Sequence, residues 1–118
     1  MEKDFSKLDE ETQREIQKLQ IYEQGFQELL NQKKAFSFEF EETEYSIKEI
    51  EKAEGEVFKI VGNQAIIKYD KKNLIEELNH KLDLIKKRLD LLEKQEKEYS
   101  KIIEEIRNEL IKKFNNKQ

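Results

Sequence analysis

Hydrophobic positions recur at helical spacing over two long stretches of this chain, with a short β-rich stretch between them. Steps of three and four residues from Phe5 give Phe5, Leu8, Thr12, Glu15, Leu19, Tyr22 and Phe26. The same steps continue through Leu29, Lys33, Phe36, Phe40, Thr43, Ile47 and Ile50. Ten of these fourteen positions are apolar or aromatic, the a/d signature of a heptad seam. A second seam runs through Ile75, Leu78, Leu82, Ile85, Leu89 and Leu92, then Glu96, Tyr99, Ile103, Ile106, Leu110 and Lys113. Ten of its twelve positions are apolar, and neither stretch contains proline. The pattern predicts one helix over about residues 5–53 and another over about 71–114. Each would be roughly 60–70 Å long, at about 1.5 Å per residue.

A helix of that length gains little from propensity alone and needs a partner for its stripe. The nearest partner is the other helix, folded back antiparallel. The connection carries the signals for such a return. Gly55 suits a left-handed position after the first helix. Asp70 suits the N-cap of the second, with Asn73 in its first turn. Between them, Val57-Phe58-Lys59-Ile60-Val61 and Ala65-Ile66-Ile67-Lys68-Tyr69 flank Gly62-Asn63-Gln64, which reads as a β-hairpin over residues 57–69. Its strands put apolar groups on both faces, and a lone two-stranded hairpin is marginal in water. The chain has nothing left to cover it. Assembly with other chains is expected through Val57, Phe58, Ile60, Val61 and Gly62 on one strand, and Ala65, Ile66, Ile67 and Tyr69 on the other. The fold class is therefore mainly α: a single-domain antiparallel two-helix coiled coil with one β-hairpin at the helix connection.

Composition narrows the picture. Charged residues make up 42% of the 118 and hydrophobic ones 36%, which suits long helices burying one narrow stripe. The net charge of −4 and the lack of a basic face argue against nucleic-acid binding. The densest basic run, Lys86-Lys87-Arg88, is short and lies between Asp83 and Asp90. With no cysteine there is neither a disulfide framework nor a thiolate metal site. Apolar runs of two to three residues cannot span a membrane, and Met1-Glu2-Lys3-Asp4 lacks the apolar segment of a signal peptide, so a cytoplasmic protein is expected. His80 sits opposite the seam with no second His nearby. The many carboxylates belong to solvated faces with a basic partner one turn away, as in Glu10 and Arg14. No phosphate loop, nucleophile elbow or metal motif is present. Neither catalysis nor a cofactor is expected.

The order of long helix, single hairpin and long return helix resembles the beta-class subunit of prefoldin, of the archaeal type. The resemblance is carried by Val57-Phe58-Lys59-Ile60-Val61-Gly62 and the second strand to Tyr69. It continues through Leu74, Leu78, Ile85, Arg88, Leu89, Leu92 and Gln95-Glu96. Upstream, Leu19, Tyr22, Phe26, Leu29 and Gln32-Lys33-Lys34 are similar to the family's first helix. The chain departs from the family in Asn63 and in several additional residues before the first helix. The resemblance implies an ATP-independent holding chaperone, assembled as a hexamer of two alpha-class and four beta-class subunits. Their hairpins would form a β-barrel platform. The coiled-coil tips would capture unfolded client proteins and hand them to a group II chaperonin, without nucleotide or metal. A structural coiled-coil scaffold with one defined protein partner is the alternative. It explains the heptads but has no use for residues 57–69.

With the turn inside such a platform, both chain ends would meet at the far tip. The client-binding candidates there are Phe5, Leu8, Ile16 and Ile21 from the first helix, and Ile102, Leu110, Ile111 and Phe114 from the second. Ile16, Ile21, Ile102, Ile111 and Phe114 fall outside the a and d positions, so the seam cannot bury them all. Polar seam residues stand in two expected pairs, Lys33 with Glu96 and Glu15 with Lys113. They either pin the register or extend their heads out of the seam into water. Gly25, inside the first helix and off the seam, reads either as a point of bending or as tolerated drift.

Overall fold

The structure is a computed structural model and describes residues 9–116. Helix α1 (Glu10–Lys52) leads into strands β1 (Val57–Val61) and β2 (Ala65–Tyr69), and helix α2 (Lys71–Asn116) follows. The strands pair antiparallel as the hairpin between the two long helices. This is the architecture that the hydrophobic pattern calls for. The described residues divide into two compact units. A terminal unit takes the chain up to Gln32 and again from Leu92; a hairpin unit is Lys33–Leu91.

Within the hairpin unit, Ile47, Leu74 and Ile85 are buried, as is the seam residue Thr43. The Thr43 hydroxyl donates to the Glu39 carbonyl at 2.8 Å, one turn back, so a polar group sits in the seam at little cost. Cross-helix contacts set the antiparallel alignment. The Lys81 ammonium lies 3.2 Å from the Glu39 carboxylate, and the Arg88 guanidinium sits 5.9 Å from the centre of the Phe36 ring. Backbone groups at the facing ends of the two helices find side-chain partners. Asp70 Oδ2 accepts the Asn73 amide at 3.1 Å, the N-cap bond that the sequence suggests. Lys71 reaches back to the carbonyls of Glu51 (3.1 Å) and Ala53 (2.9 Å), which α1 leaves without intrahelical partners. Gly55, at φ 94°, turns the chain out of α1.

The terminal unit opens with Asp9, whose Oδ1 accepts the Thr12 amide at 2.6 Å and caps α1. Its core is Leu92, Ile103, Ile106 and Leu110, with Thr12 also buried. The Lys113 ammonium is shielded from solvent and lies 3.1 Å from Glu15 and 3.6 Å from Glu11. These approaches are close enough for an ion pair but are not well-directed hydrogen bonds. Contact with Glu15 holds the Lys113 pKa above its ordinary value, against partial desolvation. Glu15 and Lys113 therefore meet as the seam register requires, and Arg107 meets Glu23 at 3.3 Å two layers away. Exposed pairs such as Arg107–Glu23 contribute about 0–1 kcal/mol, so their main effect is on alignment. Lys33 and Glu96 are each half-buried.

Gly25 has a packing role that its position off the seam does not suggest. The Tyr99 ring fills the place where its side chain would be: a Cβ there would lie 2.6 Å from Tyr99 Cε2. The ring also packs against Tyr22, edge-to-face with centroids 5.1 Å apart. Glycine costs this helix about 1 kcal/mol of propensity relative to alanine. Overpacking a fixed aromatic costs about 1–3 kcal/mol. Gly25→Ala should therefore lower the thermal midpoint. In a Tyr99→Leu background, where the clash is gone, the same substitution should raise it. A stabilising Gly25→Ala in the parent chain would show that the ring moves freely and that the contact is incidental.

Candidate functional site

The hairpin pairs Val57 with Tyr69, Lys59 with Ile67, and Val61 with Ala65 on one face. Phe58 pairs with Lys68 and Ile60 with Ile66 on the other. The turn Gly62-Asn63-Gln64 joins the strands, and Gly62 adopts a φ of 60° that side chains disfavour. Of the nine residues expected to drive assembly, Val57 and Tyr69 are half-buried and the other seven are exposed. The second face stands open: Phe58 is 54% exposed, Ile60 69% and Ile66 70%. Three large apolar side chains on one small face form the kind of surface that marks an interaction site.

The tip candidates fall in the terminal unit. Ile21 and Ile111 are strongly exposed, and Ile16, Ile102 and Phe114 are half-buried. Leu110 is buried in the seam, as its a position dictates, and so presents no free surface. Phe5 and Leu8 lie outside the described residues. Ile111 forms one wall of an open groove of about 550 Å³, with Phe26 and Ile103 at its base and the Glu23–Arg107 pair at its side. The groove has apolar and charged patches but no convergent set of polar groups. Among the described residues no group of three or more His, Cys, Asp or Glu is placed to hold a metal ion. No described helix is long and apolar enough to cross a membrane.

One feature of the hairpin is not visible in the heptads. Its first face is tied to α2 by Glu77, whose Oε1 accepts the Tyr69 hydroxyl and whose Oε2 accepts the Lys59 ammonium at 3.0 Å. Lys59 also lies 5.0 Å from the centre of the Tyr69 ring. A second ion pair, Lys68 with Glu56 at 2.9 Å, closes the base of the hairpin. The heptad and strand patterns single out neither Lys59 nor Glu77. The signal available was Lys59 and Tyr69 falling on one strand face in the expected hairpin register.

The hydrogen bonds from Tyr69 and then Lys59 hold the Glu77 pKa below the ordinary carboxylate value. The bond to Glu77, followed by desolvation and the negative charge, raises Tyr69; the same bond and charge raise Lys59. The stabilisation from Glu77 is complete above the ordinary carboxylate range and is lost as pH falls through its depressed value. That from Tyr69 and Lys59 is complete below their ordinary ranges and is lost as pH rises through the raised values. The tie is therefore whole across the neutral region and loosens at both extremes. In Glu77→Gln, NMR titration of the Tyr69 ring should shift down toward an ordinary tyrosine, and amide exchange in 57–69 should accelerate. An unmoved Tyr69 titration would mean that the contact has no weight in solution.

The family model described as prefoldin subunit matches residues 13–117. Prefoldin subunit beta of Thermococcus onnurineus is 36% identical over 90 residues, covering 75% of this chain and 77% of that protein. Prefoldin subunit beta of Thermoplasma acidophilum is 27% identical over 105 residues, covering 87% and 85% respectively. Among solved structures, the crystal structure of the prefoldin beta subunit from Thermococcus strain KS-1 matches with a TM-score of 0.79 at 29% identity. That match covers 86% of this chain and 90% of the other. Similarity extending through both helices and the hairpin exceeds what shared heptad periodicity produces, and the chain belongs to the prefoldin family, alongside its beta subunits.

Proposed function

We propose that this chain is one subunit of an ATP-independent holding chaperone. It assembles through its hairpin with an alpha-class subunit and further beta subunits, as two alpha and four beta chains. It holds unfolded polypeptides on apolar side chains of the terminal unit and passes them to a group II chaperonin in the cytoplasm. The observation that carries the reading is the open hairpin face of Phe58, Ile60 and Ile66, which no other described residue of the chain covers. Membership in the prefoldin family supports the same reading.

The chemistry is burial alone. Each square ångström of apolar surface removed from water contributes roughly 25 cal/mol, so a few exposed isoleucines hold a client weakly and reversibly. Several subunits acting at once raise the effective affinity without tightening any single contact. Ile21 and Ile111 are the principal contacts, with Ile16, Ile102 and Phe114 beside them. Phe5 and Leu8 extend the same set on the N-terminal side. Leu110 supports this surface from inside the seam. No catalytic step, cofactor or metal enters.

Assembly is tested by the native mass from light scattering, for the chain alone and mixed with an alpha-class subunit. A hexamer-sized species should form and should be lost when Ile60 and Ile66 are both changed to Glu, with helix content retained. A monomer or simple dimer indifferent to those changes would favour a coiled-coil scaffold instead. Client capture is tested separately with Ile21→Glu and Ile111→Glu combined. Both positions are exposed, so each substitution should change stability by no more than about 0.5 kcal/mol. Suppression of aggregation of a chemically unfolded client should fall several-fold. Undiminished suppression would remove these residues from the binding surface.

A further inference from the structure

The second half of α1 carries a charge that its own fold does not use. From Phe38 to Glu51 it holds six glutamates against a single lysine, Lys48, an excess larger than the chain's whole net charge of −4. Like charges one turn apart, such as Glu41 and Glu44, repel, and negative charge toward a helix C-terminus opposes the helix dipole. Of the six, only Glu39 makes an ion pair among the described residues, with Lys81 of α2 at 3.2 Å. Two aromatic rings are exposed on the same face. Phe38 and Tyr45 stand opposite the seam, 63% and 66% exposed. Glu41 and Glu42 lie between them, both exposed, and each is one turn from both rings. The arrangement of ring, acidic pair and ring costs the helix stability and serves no contact within the unit. A local rule broken without a gain inside the chain marks a functional surface.

A ring face attracts a cation, and a carboxylate beside the ring accepts hydrogen bonds from the same cation. A guanidinium does both at once, because it is planar, stacks on aromatic faces and presents a fork to a carboxylate; an ammonium is more strongly hydrated and lacks the fork. We propose that the outer face of α1, from Phe38 to Tyr45, docks an extended, arginine-bearing segment of a partner protein. The two rings are seven residues apart in sequence, about 10 Å along the helix axis. A segment in the polyproline II conformation puts every third residue on one side, about 9 Å apart. Arginines spaced as Arg-x-x-Arg therefore reach both rings, with Glu41 and Glu42 accepting from the two guanidiniums. The sign of the charge excludes nucleic acid. An apolar unfolded segment would cover the rings but would also desolvate unpaired carboxylates. The occupant is thus a basic partner and not the clients assigned to the terminal unit. Neither the hairpin nor the terminal unit takes part, so the site stands or falls apart from the holding function.

The test uses the full chain and three fluorescent peptides in a Gly-Ser background, carrying Arg-x-x-Arg, Lys-x-x-Lys or no cation, with anisotropy as the readout. The arginine peptide should bind saturably at low ionic strength, one per chain, and weaken as salt is added. The lysine peptide should bind at least about threefold more weakly, and the uncharged one not at all. Glu41→Gln combined with Glu42→Gln should weaken arginine-peptide binding about tenfold. Phe38→Ser combined with Tyr45→Ser, which leaves the charge unchanged, should weaken it about fivefold. Glu104→Gln combined with Glu105→Gln, in the terminal unit, should change it by less than about twofold. All six positions are exposed, so helix content and native mass should hold in every variant. A loss at 104 and 105 equal to that at 41 and 42 would mean diffuse attraction to an acidic chain and would overturn the site. Equal binding of the lysine peptide, or undiminished binding in the serine variant, would overturn the arginine and ring arrangement. Displacement of the peptide by a chemically unfolded client would assign this face to clients and remove the proposal. A chain that binds the peptide as expected but never reaches hexamer size would sustain the site and overturn the assembly reading alone.

Discussion

An amphipathic helix of 43 or 46 residues cannot hide its own apolar stripe, and every other feature of this chain follows from that constraint. Each unit meets it in the same way, with a segment of α1 and a segment of α2 covering each other through a and d positions. The described seam positions are all buried or half-buried, including the polar ones. Little else is buried. A chain with 42% charged residues has only enough apolar surface for one such seam and a small remainder. The remainder is therefore informative about function, because the fold does not need it.

The densest part of that remainder lies on the hairpin. Two strands cannot make a sheet that protects itself, yet these strands are held in a defined place by Glu77, which grips Tyr69 and Lys59 from the first turns of α2. Lys71 and the Asp70 cap brace the same corner. The effect is preorganisation. One face of the hairpin is tied to its own helix, and the face of Phe58, Ile60 and Ile66 is left open with its backbone order already established. The ordering cost that weakens binding by flexible segments is met within the subunit.

The polar residues of the seam divide by how well each is satisfied. Thr43 returns its hydroxyl to its own helix, and Glu15 and Lys113 meet across the terminal unit. The Thr12 hydroxyl is buried with no hydrogen-bond partner among the described residues, next to the cap that Asp9 makes with its amide. Such residues lower stability but make misaligned registers worse, since a slip would place a charge against an apolar layer. Gly25 and Tyr99 act in the same sense by shape: the ring fits only where the opposite helix lacks a side chain.

The sequence by itself determined the two helices, the hairpin between them, the seam and the polar pair of Glu15 with Lys113. These depend on periodicity and capping, which are local properties repeated over many residues. The exposed hairpin residues were legible for the same reason, because strand alternation shows both faces to be apolar. Tertiary structure decided what depends on distance across the pairing. It placed Tyr99 in the gap at Gly25 and joined Lys59 and Tyr69 to Glu77. A heptad pattern states which face a residue occupies. It does not state which residue stands opposite, because that depends on the axial register of one helix against the other, and register is a property of the pair.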